Sequence, residues 1–226
     1  MIQIRVWDWP TRLFHWTLTG LVIALVVTGN VGGNAMVWHF RCGYGVLCLL
    51  IFRIIWGFCG GHWSLWRQLA CTPASIRQYL MPSASSSPPT TYLGHNPLGS
   101  LSIIAILALL GLQVGTGLFS DDEIANAGPL VRLVAESTVN MATRWHKGFG
   151  KTLILLLVAI HLLAILWYFL KKKENLTRAM LTGNKSSEVP APSSKDGLTH
   201  WLLALVCVLI SAGLVFALIT LGASPI

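Results

Sequence analysis

Four histidines, His15, His39, His146 and His161, stand inside or at the ends of long apolar stretches. Ionisable groups at membrane depth are costly and mark sites of chemistry. An imidazole there can carry protons or bind a metal through a ring nitrogen. Depth helps to separate the two. His15 lies 14 residues before Gly29, the end of its stretch, and His161 lies 15 residues beyond His146, so each step is about 21–22 Å of helix. His39 and His146 therefore share one level, and His15 and His161 another. In a regular helix, His146 and His161 end about 60° apart and point broadly into one bundle face. Two opposed imidazoles at equal depth are what a six-coordinate haem iron needs. Two stacked pairs predict two non-covalent b-type haems, His39 with His146 and His15 with His161, and an electron path across a bundle core. The rival reading is a haem-free proton-relay channel or transporter, although a relay does not require depth-matched pairs.

Haem propionates are anionic, so cations are expected beside the ligands. Arg41, Arg144 and Lys147 flank the first pair and Arg12 stands near His15, whereas Arg53 reads as snorkelling to the interface. Gly20, Ala24, Gly43 and Gly150 leave room either for a flat ring or for close helix contact, while Gly111 and Gly115 read as packing. His62, His95 and His200 fall in loops or at a boundary, where a solvated imidazole costs nothing; His95 is also a candidate for lining a quinone site. Most tryptophans, Trp7, Trp9, Trp16, Trp63 and Trp66 among them, read as an interfacial belt. The five cysteines read as small buried apolar residues, with neither zinc-like spacing nor a Cys-x-x-Cys-His haem-attachment signature. Phosphate-loop, His-Glu-x-x-His and Gly-x-Ser-x-Gly elements are absent from the sequence.

The elements that position these histidines follow from composition. Apolar residues make up 54 % and charged ones 11 %, about half the usual ~25 % share. Such a chain is an all-α integral membrane protein, with spans near 13–29, 39–58, 98–119, 144–170 and 200–221, each close to the ~20 residues that cross a hydrocarbon core. The first stretch is too long, and too interrupted by His15 and Trp16, for a signal peptide. Basic residues flank the spans rather than forming a nucleic-acid patch. Lys171, Lys172 and Lys173 close the fourth span and mark its cytoplasmic side, which places the N-terminus and the 60–97 connection in the cytoplasm. The 120–143 connection, with Asp121, Asp122 and Glu123, and the C-terminus then lie in the periplasm. The expected division is a four-helix di-haem bundle over 1–180, a cytoplasmic linker over 181–198, and an added C-terminal helix over 199–226. No solenoid or inverted repeat is visible.

The sequence resembles the bacterial di-haem cytochrome b-561 family, which includes the cytochrome b subunit of nickel-iron hydrogenases. The matching segments are Val6-Trp7-Asp8-Trp9-Pro10-Thr11-Arg12-Leu13-Phe14-His15-Trp16, Arg53-Ile54-Ile55-Trp56-Gly57, Gly94-His95-Asn96-Pro97-Leu98-Gly99, and Trp145-His146-Lys147 continuing to His161. They cover roughly the first 180 residues. The family's axial ligands correspond to His15, His39, His146 and His161. The resemblance implies a bacterial inner-membrane cytochrome that exchanges electrons between quinone and a periplasmic cytochrome or hydrogenase. It also raises an enzymatic alternative, superoxide oxidation with quinone as acceptor, for which Arg41, Arg144 and Lys147 would steer the anion. The fifth span has no ligand and is expected to pack against a partner or a second copy.

Overall fold

Asp8 and Pro10 set the start of the first helix. The Asp8 carboxylate accepts the Thr11 amide at 2.8 Å, and proline falls in the first turn, where its missing N–H costs nothing. Helix α1 (Trp9–Val31) ends at Gly32, whose φ of 68° favours glycine, and α2 (Met36–Cys59) returns beside it. Thr72 and Asn96 repeat the device, each capping a helix with proline in its first turn: α3 (Pro73–Leu80) and α4 (Pro97–Leu118). Helix α5 (Glu136–Arg144) continues through π-helical turns at Trp145–Phe149 into α6 (Gly150–Trp167), which ends in a second π-helical stretch, Tyr168–Lys172. Helices α7 (Leu176–Thr182) and α8 (Leu198–Ala223) follow. This computed structural model describes residues 1–69, 71–81, 92–122 and 124–223.

Among the described residues, five helices are long and apolar enough to cross a membrane: Trp9–Val31, Gly33–Cys59, Pro97–Leu118, Glu136–Lys172 and Leu198–Gly222. The all-α membrane class expected from composition is the class found. Most spans run longer than expected, the fourth by the largest margin. The fourth extends back to Glu136, because the mixed polar sequence 136–144 still favours helix and carries Glu136 at the positive helix start. The 60–97 connection contains α3, while its serine-rich run over 83–91 and Glu123 of the 120–143 connection lie outside the described residues.

Two interior clusters hold the spans together. Val46 and Leu50 of α2 pack with Leu110 and Val114 of α4 and with Ile154 of α6. Phe14 of α1 and Phe52 and Trp56 of α2 pack with Ala204 and Cys207 of α8. The fifth span thus lies along α2, with Leu205, Leu209 and Phe216 exposed on its outer side. We call the bundle end where α1 begins proximal and the opposite end distal.

A two-stranded antiparallel ribbon closes the proximal end. Strand β1 (Ile2–Arg5) pairs with β2 (Asn184–Ser187), Ile2 opposite Ser187 and Arg5 opposite Asn184. Beyond it, the Ser194 hydroxyl donates to the Val6 carbonyl at 2.8 Å, and Asp196 pairs with Arg5 and accepts the Trp9 amide. The stretch after α6 is therefore bound to the chain's first residues. A cluster of Ile4, Val6, Trp7, Leu93 and Ala179 lies beneath the ribbon.

Candidate functional site

At the distal end, His39 in the first turn of α2 faces His146, which lies in the π-helical stretch before α6. Their ring centroids are 6.1 Å apart and their planes cross at 86°. Each ring is held from behind. His39 Nδ1 donates to the Leu25 carbonyl at 3.1 Å, with the Thr28 hydroxyl 3.3 Å away, and His146 Nδ1 donates to the Gln113 carbonyl at 2.8 Å. The Gln113 amide returns a bond to the His146 carbonyl at 2.7 Å. With Nδ1 protonated and committed, Nε2 is the nitrogen available for a metal, the arrangement by which backbone carbonyls orient ligating histidines. Two imidazoles bound to one metal ion by bonds of about 2 Å stand with their centres roughly 6 Å apart. The distal residues thus fit an iron held between them.

The wide turn at Trp145–Phe149 changes the phase of the helix. Fifteen regular steps from His146 do not describe the path to His161, because a π-helical turn holds an extra residue. The regular-helix angle expected between them is corrected accordingly. Space for the imidazoles is made by glycines that spacing did not reveal. A Cβ at Gly117 would lie 2.8 Å from His146, and one at Gly29 3.0 Å from His39. Of the glycines read as leaving room for either a ring or close helix contact, Gly20 and Gly43 have nothing within 4 Å, whereas a Cβ at Gly150 would strike Gln113 and Trp145, which is close packing.

Nearer the proximal end, His15 of α1 and His161 of α6 lie within electrostatic range of each other. His15 Nδ1 is buried without a hydrogen-bond partner, and its ring meets Trp16 edge-on at 5.0 Å. A buried ring nitrogen without a partner is unfavourable unless something outside the chain satisfies it. Groups of three or more His, Cys, Asp or Glu able to cage a bare ion do not occur among the described residues. The donors come in imidazole pairs, which suits a macrocyclic iron that supplies its own equatorial nitrogens.

The cations take different places. Arg41 lies over the Trp38 ring at 5.0 Å, and Arg144 and Lys147 are exposed beside the distal pair. Arg12 is buried, donates to the Leu181 carbonyl and stacks on Trp9 at 4.7 Å, while its Nε has no partner. Arg53 does not snorkel: it is 7 % exposed and lies under Trp66 at 4.3 Å, because the chain after α2 folds back over it.

His95 is not a solvated loop histidine. It is half-buried, packs edge-on to Trp7 at 4.5 Å, and has its pKa pushed down to about 4 by burial, with Lys185, Arg53 and His161 adding to the effect. Trp7 itself is buried, Trp63 donates to the Pro192 carbonyl and Trp66 to the Ile54 carbonyl, so these three serve the proximal fold rather than a belt. Among the cysteines only Cys207 is fully buried; Cys59 is exposed, with its sulfur 3.9 Å from that of Cys207.

Asp8 is the proximal residue that sequence reasoning passed over. Fully buried, it accepts from the Thr11 and Gly61 amides, the Ser64 hydroxyl and the Trp56 indole, joining the start of α1 to the end of α2. The signal was available in an acidic residue one place before a Trp-Pro helix start.

Comparison with known proteins gives a family match over residues 6–183 to the model described as prokaryotic cytochrome b561. Among curated relatives, the probable Ni/Fe-hydrogenase B-type cytochrome subunit of Azotobacter vinelandii is 28 % identical over 47 % of this chain and 54 % of its own. The chain thus spans about half the length of that relative. The probable Ni/Fe-hydrogenase B-type cytochrome subunit of Cupriavidus necator is 24 % identical over 80 % of this chain and 86 % of its own. The probable Ni/Fe-hydrogenase 1 B-type cytochrome subunit of Escherichia coli is 24 % identical over 87 % of this chain and 96 % of its own. No solved structure matches the chain.

Proposed function

Because the chain belongs to the prokaryotic cytochrome b561 family, we propose that it binds two b-type haems and passes electrons across a bacterial inner membrane. His39 and His146 hold one haem and His15 and His161 the other. The observation that carries this reading is the distal pair: opposed rings 6.1 Å apart, each with Nδ1 committed to a backbone carbonyl. A proton relay needs both ring nitrogens free to exchange, which that commitment opposes.

A bound haem supplies a one-electron iron couple. The chain supplies the rest. Carbonyl-bonded Nδ1–H groups fix each tautomer and make Nε2 a stronger donor. Gly29 and Gly117 let the imidazoles pass close to the α1 and α4 backbones. Arg41, Arg144 and Lys147 at the distal level and Arg12 at the proximal level are the cations for carboxylate groups. Quinone or quinol in the lipid is one redox partner. A hydrogenase is the other, in keeping with the names of the relatives, with a periplasmic cytochrome as the counterpart of the same chemistry. Residues 1–180 form the haem-bearing unit, 181–198 the connection and 199–226 an added helix whose outer face meets lipid, a partner subunit or a second copy. The N-terminus is cytoplasmic and the C-terminus periplasmic.

The test is a reduced-minus-oxidised spectrum with a pyridine haemochrome count on purified wild type and on His15→Ala, His39→Ala, His146→Ala and His161→Ala. Two haems per chain are expected, with each substitution removing one and sparing the other pair's. A colourless wild type from haem-sufficient cells would end the cytochrome reading.

A further inference from the structure

Arg53 is buried, and the carboxylate near it among the described residues, Asp8, is already taken. Asp8 lies in electrostatic range of Arg53. Its oxygens, however, accept from two amides, a hydroxyl and an indole, and none of those donors is Arg53. Trp66 covers one face of the guanidinium, and Nη1 is left buried with no partner. Leaving a charged donor unsatisfied in that way costs more than leaving a neutral one so.

A second donor without a partner lies at the same end. Ser100, in the first turns of α4, is fully buried and its hydroxyl is unpaired. Helices α2 and α4 run antiparallel, with Val46 and Leu50 clustered with Leu110 and Val114, so Ser100 comes near the last turn of α2. Arg53 reaches toward that level, because Trp66, which covers it, follows the end of α2. The proximal histidines belong to the same end of the bundle. Phe14, next to His15, packs on Phe52, next to Arg53, with ring centroids 6.2 Å apart, and His95 is in electrostatic range of both Arg53 and His161.

We propose that Arg53 and Ser100 form the carboxylate-binding end of the proximal haem site, receiving a propionate of the haem held by His15 and His161. Two buried donors without partners, on different helices at the proximal end, would be satisfied by an anion that the chain itself does not contain. Arg12, the proximal cation expected from sequence, also has an unpaired Nε, but its terminal nitrogen is bonded to the Leu181 carbonyl, whereas Arg53 has a terminal nitrogen without a partner, so Arg53 joins Arg12 as a proximal cation. The inference rests on the di-haem reading above.

The experiment is a redox titration of purified full-length protein, following each haem band, on wild type, Arg53→Gln, Arg53→Lys and Ser100→Ala, with haem content counted in each. A cation beside a propionate favours the reduced iron, so Arg53→Gln should lower the potential of the haem that is lost in His15→Ala, or release that haem. Arg53→Lys should restore most of the shift, and Ser100→Ala should show a smaller shift of the same sign. The propionate bending band in resonance Raman spectra should move in Arg53→Lys as well, which a role in packing alone would not produce. If wild type holds two haems and both potentials and the Raman band are unchanged in every variant, the proposal fails while the di-haem reading stands. If instead only the quinone KM rises, the donors serve quinone and the proposal is overturned. A wild type without haem overturns both.

Discussion

A methyl group added at Gly117 would sit 2.8 Å from His146 Cε1 and 3.1 Å from its Nδ1, inside the space the imidazole needs to reach the Gln113 carbonyl. Alanine is the better helix former by about 1 kcal/mol, so at an indifferent position Gly→Ala in α4 should stabilise. At Gly117 the sign is expected to reverse. Under the proposed function, Gly117→Ala should lower the content of the His39/His146 haem several-fold, leave the other haem in place, and displace the distal absorption band, as read by haemochrome count and low-temperature spectra. Gly111→Ala and Gly115→Ala, where an added Cβ meets nothing within 4 Å, are the controls and should retain both haems. A Gly117→Ala protein with full haem content and wild-type spectra would show that the imidazole does not use that space. The histidines were legible because a polar residue in an apolar run stands out and its depth can be counted. Gly117 and Gly29 were not, since a glycine's meaning depends on which side chain approaches it from another helix. Asp8 lies between these cases: its place as a helix cap could be read, but its further bonds to Gly61, Ser64 and Trp56 required the fold.

Helix α8 lies on α2 closely enough to be tested chemically. The Cys59 and Cys207 sulfurs are 3.9 Å apart across that contact, and closure to a bond of about 2 Å needs only a small rotation or slide of either helix end. Exposed Cys59 can be reached by a catalytic oxidant such as copper phenanthroline. Treatment of intact membranes is expected to link positions 59 and 207, seen as a cystine peptide by mass spectrometry, without loss of haem and without product in Cys207→Ser. Failure to link, with both thiols still alkylated after denaturation, would place α8 elsewhere, for example in a partner. The membrane spans were legible as elements because length and polarity define them without reference to neighbours. Two features were not. Four-residue strands carry little pattern, and β1 and β2 pair although they lie far apart in the sequence. The π-helical turns that carry His146 leave no mark in hydropathy, yet they set the direction in which that histidine points.

At the scale of the whole molecule, charge distinguishes the two ends. Arg67, Arg77, Lys171, Lys172, Lys173, Arg178, Lys185 and Lys195 gather at or beyond proximal helix ends, whereas the distal end carries Arg41, Arg132, Arg144, Lys147 and Lys151, with Arg41, Arg144 and Lys147 in the segments that bear the paired imidazoles. The orienting rule counts basic residues in short flanking loops, and three of the distal five, Arg41, Arg144 and Lys147, have a local anion to meet under the proposed function. The proximal excess is the part free to set orientation, and it favours a cytoplasmic proximal end. Asp122 adds little to that balance, since acidic residues weigh weakly in the rule; its carboxylate is used locally, held well below the usual range by the Asn126 side chain and by the amides of the turn. Orientation can be read with single cysteines in a cysteine-free chain, Ala125→Cys in the distal loop and Ser186→Cys on β2, both exposed positions. In intact spheroplasts a membrane-impermeant maleimide should label position 125 and spare 186 until the membrane is opened. That result would put the His39/His146 level beside the periplasm, so that a periplasmic donor or acceptor meets the distal haem and the proximal site, with Arg53, Ser100 and His95, faces the cytoplasm. The reverse labelling would bring the ribbon-capped end to the periplasmic partner, and Arg12, Arg53 and His95, rather than Arg41, Arg144 and Lys147, would then line the entry of electrons.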